Sequence, residues 1–190
     1  MHPGGWPGNR WSQGGQTMTE LMWGLAAAVL VGSGATLVMD LWGLVRQHLL
    51  GVAPLNYALV GRWVLYLGRG RLRHNPIAAT PAVAGERWVG WAVHYLIGVL
   101  FAGALLAIWG IDWLCRPSPG PALIVGLVTV LAPFLIMQPA MGAGLAARRT
   151  PRPGQARLQS LITHAVFGLG LYLSGLVTAQ LVGWLGWVSC

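Results

Sequence analysis

The chain has 190 residues, of which 55% are hydrophobic and only 8% are charged. Soluble domains carry about 25% charged residues, so this composition excludes an ordinary soluble protein and indicates a single membrane domain. Twelve arginines, no lysine and four acidic residues give a net charge of +8, and because the arginines lie between apolar runs, they favour membrane orientation and anionic lipid over nucleic acid.

Four long apolar runs predict an all-α integral membrane bundle. About 20 apolar residues cross a bilayer core, and the runs predict transmembrane helices over residues 21–45, 88–111, 121–147 and 160–188. The region 18–190 is therefore expected to form one domain. Residues 1–17 are rich in Gly, Pro, Trp and Gln, so they predict a disordered tail or a start site assigned too early, with Met18 as the alternative start.

Small residues recur at every fourth position in three of the predicted helices, and each line includes an ionisable side chain. Residues four apart share one face of a helix, and small residues let a second helix approach closely in lipid. We therefore expect Asp40, His94 and His164 to face other helices. The three lines are Gly24, Ala28, Gly32, Thr36 and Asp40; Gly90, His94, Gly98 and Ala102; and Ser160, His164, Gly168 and Tyr172.

The connection between the first two spans contains an apolar segment of its own, at residues 54–67. Every fourth position there is large and apolar, and Arg62 and Arg69 fall on a neighbouring face. This pattern predicts a helix lying in the membrane interface. An irregular loop whose arginines reach out to water is the alternative.

The third span is predicted to be an interrupted helix. Pro121 suits a first helical turn. Pro133 and Pro139 lie inside the span, where each removes a backbone hydrogen bond and favours a kink.

Arginine counts predict the orientation of the chain. Residues 46–87 hold six arginines and residues 148–157 hold four, whereas the opposite side has only Arg10 and Arg116. The positive-inside rule places both Arg-rich segments in the cytoplasm and both termini in the periplasm of a bacterial inner membrane. The arginines expected to anchor this side at anionic lipid headgroups are Arg46, Arg62, Arg69, Arg87, Arg148 and Arg149. A homo-oligomer or a partner in a membrane complex is also compatible with the sequence.

The two cysteines, Cys115 and Cys190, lie at predicted periplasmic ends of helices. A disulfide can form on that oxidising side, and two unpaired interfacial cysteines fit the sequence equally well. The chain has no CxxC motif that would indicate a redox or zinc site.

Each of the four spans offers a polar or sulfur-bearing group near its Arg-rich end. Asp40, His94 and His164 lie six or seven residues from the nearest flanking arginine. At about 1.5 Å rise per residue, such groups lie about 9–15 Å inside the cytoplasmic arginines. The predicted polar layer consists of Asp40, His94, His164, Gln138, Met137 and Met141.

Three functions compete for this polar layer. It can be a hydrogen-bonded cluster that fixes helix packing, which is the interpretation we favour. It can belong to a small transporter in which Asp40 binds a proton or cation and the Pro133 and Pro139 region moves. It can also hold a metal or cofactor through Asp40, the two histidines and nearby methionines.

The sequence gives less support to the other classes of function. An accessory subunit of a membrane complex is a fourth alternative for the chain as a whole. No nucleophile elbow, HExxH or P-loop is present, so no enzymatic activity is predicted. The sequence names no cofactor.

Six segments of the chain together form a family pattern: residues 32–42, 57–63, 90–95, 132–144, 150–153 and 164–172. In these segments the chain resembles a family of small four-span bacterial inner-membrane proteins known only as a domain of unknown function. The resemblance implies four spans in the inner membrane, covers about residue 18 to the end of the fourth helix, and supplies no established activity.

Overall fold

The computed structural model describes residues 10–184, apart from the side chains of residues 10–20 and 182. Four helical segments in this part of the chain are long and apolar enough to cross a membrane, and the described residues contain no strand. The predicted all-α membrane fold is therefore confirmed. The four segments are Leu21–Leu50, Glu86–Trp109, Pro119–Ala140 and Pro153–Leu181.

The helices follow one another with short irregular connections. A π-helix, Pro133–Met137, interrupts the third of the four segments. Single 3-10 turns occur at Ile77–Ala79, Ile111–Leu114 and Leu145–Ala147. The α-helices are α1 (Arg10–Leu50), α2 (Tyr57–Leu67), α3 (Glu86–Trp109), α4 (Pro119–Val128), α5 (Gln138–Ala140) and α6 (Pro153–Trp184).

Helix α1 begins earlier than the apolar pattern predicts. It starts at Arg10, so residues 10–17 are helical where the sequence predicts a disordered tail. Extending an existing helix costs far less than nucleating one, and the apolar run supplies the nucleus. The rest of the predicted tail, residues 1–9, lies outside the described residues.

Helix α1 occupies the centre of the molecule. It packs against α3 on one side and α6 on the other, while α2 packs on α3 and α4 packs on α6. A side chain at Gly32 would collide with the backbone of Gly98, and one at Gly126 would collide with Gly168. The predicted small-residue lines therefore do face other helices. The α1 and α3 lines pack against each other, whereas the α6 line packs against α4.

Helix α2 confirms the short helix predicted between the first two spans. Asn56 caps it by accepting a hydrogen bond from the Ala58 amide at 3.1 Å. It runs antiparallel to the first half of α3, because Tyr57 lies against His94 and Arg62 lies against Glu86.

The third span is interrupted at Pro133, as predicted, but it ends at Ala140 and not at residue 147. Gly142 and Gly144 follow with φ angles of +98° and +75°, and a helix cannot continue through such left-handed residues. The fourth span begins at Pro153, before the predicted residue 160, since proline is well suited to a first helical turn. Its predicted end at residue 188 lies outside the described residues.

Candidate functional site

Asp40 is the centre of a half-buried hydrogen-bonded cluster. Its Oδ1 lies 2.9 Å from His94 Nε2 and accepts a hydrogen bond from the Tyr57 hydroxyl at 3.3 Å. Its Oδ2 accepts a hydrogen bond from the Tyr95 hydroxyl at 3.2 Å. Because an ionised carboxylate can only accept, the His94 nitrogen that faces it carries a hydrogen. We call Asp40, Tyr57, His94 and Tyr95 the Asp40 cluster.

Aromatic rings cover the cluster. Tyr57 stacks on His94 with ring centroids 4.0 Å apart and an interplanar angle of 25°. The Trp91 ring also packs against Tyr57, with ring centroids 4.6 Å apart. The side chains of His94 and Asp40 are only 10% and 14% exposed. Shielding from solvent strengthens the hydrogen bonds inside the cluster, because the local dielectric is low.

Three helices supply the cluster. Asp40 comes from α1, Tyr57 from the first turn of α2, and His94 and Tyr95 from α3. The approach of α2 depends on two glycines, because a Cβ at Gly61 would overlap the Glu86 carbonyl and one at Gly90 would overlap the Tyr57 carbonyl. The two backbones therefore touch directly, which brings the Tyr57 hydroxyl within reach of Asp40.

A bidentate ion pair joins the middle of α2 to the first residue of α3. Arg62 donates from Nε and Nη2 to the two carboxylate oxygens of Glu86, each at 2.8 Å. Its Nη1 donates to the Thr80 carbonyl at 2.7 Å, and Glu86 also accepts a hydrogen bond from the Val83 amide. The side chains of Arg62 and Glu86 are 12% and 15% exposed, so the guanidinium that the sequence predicts as a lipid anchor is used inside the fold.

His164 belongs to a second cluster, between α4 and α6. Thr129 donates its hydroxyl hydrogen to the Gly126 carbonyl at 2.7 Å, and its Oγ1 lies 3.1 Å from His164 Nδ1. With its only hydrogen committed, the hydroxyl accepts a hydrogen bond from Nδ1. The structure thus brings Asp40 and His94 together, and it gives His164 a separate partner.

The other predicted members of the polar layer lie near the end of the third span. Met137 ends the π-helix, Gln138 begins α5, and Met141 follows α5. The Gln138 Oε1 atom is buried and has no hydrogen-bond partner among the described residues. A functional role for the whole layer stays a prediction.

The metal hypothesis needs a set of ligands that converge on one point. Among the residues whose side chains the structure describes (21–181, 183 and 184), no group of three His, Cys, Asp or Glu is arranged to hold a metal ion. Asp40 and His94 form a pair without a third ligand of this kind. Cys115 follows the 3-10 turn Ile111–Leu114, and Cys190 lies outside the described residues.

Most of the chain matches a protein family. The matching family is described as "Protein of unknown function (DUF2938)", and the match covers residues 29–178. The chain belongs to this family. No curated protein and no solved structure matches the chain significantly. The resemblance seen in the sequence is confirmed, and the family brings no established activity with it.

The DUF2938 match contains all of the Asp40 cluster, including two residues that the sequence analysis missed. Tyr57 and Tyr95 lie in segments that carried the resemblance, but neither has a spacing that links it to Asp40. The Arg62–Glu86 pair was also missed. Its only signal is that Glu86 is the single acidic residue among the six arginines of residues 46–87.

Proposed function

We propose that this DUF2938 protein is a multi-pass protein of the bacterial inner membrane with both termini in the periplasm. The positive-inside rule supports this orientation. Further support comes from the contact between the first Arg-rich segment and the end of the third span, which leads into the second Arg-rich segment: His74 N donates to Ala140 O at 2.8 Å and Ile77 N donates to Met141 O at 3.0 Å. The exposed arginines of this end would then contact anionic lipid headgroups. They include Arg69, Arg87, Arg148 and Arg149.

Reporter fusions at the C-terminus of the full chain test the orientation. Alkaline phosphatase is active only in the periplasm and green fluorescent protein fluoresces only when folded in the cytoplasm. We expect an active phosphatase fusion and a dark fluorescent fusion. The opposite pair of results would reverse the proposed orientation.

We infer that the Asp40 cluster is structural and attaches α2 to the membrane-spanning helices. One observation carries this inference: Asp40 accepts hydrogen bonds from Tyr57 on α2 and from His94 and Tyr95 on α3. Polar groups inside a bilayer must be satisfied within the protein. Intramembrane hydrogen bonds are worth about 0.6–2 kcal/mol each, which is enough to select one packing of the helices.

Unfolding of variants in lipid bicelles tests the structural role. Asp40→Asn should lower the free energy of unfolding by about 1–2 kcal/mol, because the amide replaces a charged acceptor with a weaker, partly donating group. Asp112→Asn is the matched control, since Asp112 is exposed, and its effect should stay within about 0.5 kcal/mol. If Asp40→Asn is as stable as wild type, the structural role of Asp40 is contradicted. That result would favour the alternative in which Asp40 binds a transported proton or cation.

A further inference from the structure

The loop between α2 and α3 caps the free end of the third span. The last carbonyl groups of a helix have no partner inside the helix. Here the Ala140 and Met141 carbonyls accept hydrogen bonds from the amides of His74 and Ile77, at 2.8 and 3.0 Å. Gly142 lets the loop lie directly on this end, because a Cβ there would be 2.8 Å from the His74 carbonyl.

The loop is also tied to α2. Arg62 Nη1 donates to the Thr80 carbonyl, and Tyr66 donates its hydroxyl hydrogen to the Pro81 carbonyl at 3.2 Å. The loop therefore connects α2 and α3 to the end of α5.

His74 is buried at the centre of this contact, with 4% of its surface exposed. Its Nδ1 lies 2.9 Å from Thr80 Oγ1. Its Nε2 is buried and has no hydrogen-bond partner among the described residues. A buried donor without a partner costs more than a buried ring acceptor without one, so the neutral form with the hydrogen on Nδ1 fits the site. A proton added to Nε2 would create a charged donor that has no acceptor within hydrogen-bond distance in the described part of the chain.

We propose that His74 makes the contact between the loop and the end of α5 a pH-sensitive latch, which is closed while His74 is neutral and opens when His74 takes up a proton. The latch controls whether the end of the third span, with its π-helix, is held by α2 and α3. This proposal is independent of the role assigned to the Asp40 cluster.

The charged side chains around His74 do not favour its protonation, because Arg71 opposes it and Arg62 of α2 is paired with Glu86 of α3. A backbone hydrogen bond with Arg71 favours the protonated ring, but more weakly than burial and the Arg71 charge oppose it. Arg71 is the charge of the loop that acts on the ring, and Tyr66 of α2 packs edge-on against the ring at 5.3 Å between centroids. The side facing α5, residues 138–142, has no charged or titratable residue. Burial, and to a smaller extent the Arg71 charge, holds the pKa of His74 below its ordinary value of 6.5.

The direction of the pH dependence follows from this lowered pKa. Between 6.5 and the pKa of the closed state, the opened loop binds the proton more readily than the closed loop does. The latch therefore has its full stability above pH 6.5 and loses stability as the pH falls below it. The equilibrium constant for opening rises by at most about tenfold for each unit of pH.

Hydrogen exchange of the full-length chain in lipid nanodiscs tests the latch. Protection factors of amides in residues 72–80 and 138–144 should fall several-fold, up to about tenfold, between about pH 7.5 and about pH 5.5. In His74→Asn, the amide can replace Nδ1 as the partner of Thr80 and cannot take up a proton, so protection should not change with pH. The matched control is His48→Gln, because His48 is exposed in the last turn of α1, and it should keep the wild-type response.

Two results would overturn the proposal: no pH response in the wild type, or an equal response in wild type and His74→Asn. If His74→Asn already loses amide protection at neutral pH, the test is instead the pH at which His74 of the wild-type chain takes up a proton. Nitrogen NMR resonances of the histidine ring measure that pH. We expect His74 to take up its proton at lower pH than free histidine does. Protonation at the pH of free histidine, or above it, would contradict the latch.

Discussion

The Asp40 carboxylate has about four acceptor positions, and protein donors fill three of them. This degree of satisfaction distinguishes Asp40 from an acid that is left free to bind a ligand. The charge is matched by a hydrogen-bearing His94 nitrogen and by two hydroxyl groups. At the scale of single residues, the site therefore resembles a satisfied packing cluster more than an empty binding site.

The sequence could predict part of this arrangement. The four-residue spacing of small residues predicted that Asp40 and His94 face other helices, and in the structure they do. The same spacing on α6 could not say which neighbour His164 would face. Spacing fixes a face of a helix, but the neighbour of that face depends on packing, and Gly168 directs this face of α6 onto Gly126 of α4.

Ala146 offers a test of local backbone strain. Its φ angle is +44°, and that of the next residue, Ala147, is +59°. Left-handed backbone costs a non-glycine residue about 1–2 kcal/mol, so Ala146→Gly should raise the free energy of unfolding by up to about 1 kcal/mol. Ala147→Gly should gain less, because Ala147 is 1% exposed and its buried methyl group would be lost. Thermal unfolding in detergent measures both, and a destabilised Ala146→Gly would refute the strained geometry.

At the scale of elements, α2 shows what periodicity can and cannot predict. Its apolar spacing predicts a helix, and the helix is present at Tyr57–Leu67. Its antiparallel packing along α3 could not be predicted, because it depends on backbone contact between two glycines that are far apart in sequence. The early end of the third span also depends on glycines, because Gly142 and Gly144 adopt left-handed backbone angles that end the helix.

The Gly61–Gly90 contact predicts a large effect of one methyl group. Gly61→Ala would place its Cβ against the Glu86 carbonyl, so α2 must move away from α3 at a cost of about 1–3 kcal/mol. Gly68→Ala is the matched control, because Gly68 has right-handed helical angles and a Cβ there would be 3.6 Å from its nearest neighbour. We expect reduced amide protection of residues 57–67 in the first variant and little change in the second. Equal protection in both would mean that the helices do not touch at Gly61.

At the scale of the whole molecule, the helices form a chain of contacts in the order α2, α3, α1, α6 and α4. Hydropathy predicted the four spans, because a bilayer imposes length and polarity on any helix that crosses it. It could not predict that the loop around residues 74–80 joins α2 to the end of the third span. Such a connection rests on backbone hydrogen bonds, which leave no mark in composition.

The central claim is that Asp40 attaches α2 to the spanning helices. A double-mutant cycle between Asp40 and Tyr57 measures this attachment directly. It compares the free energies of unfolding in lipid bicelles of wild type, Asp40→Asn, Tyr57→Phe and the double variant. We predict a coupling of about 1 kcal/mol, because Tyr57→Phe removes the hydrogen bond that Asp40→Asn weakens. If the two effects instead add to within about 0.5 kcal/mol, the two side chains do not interact and the claim is contradicted.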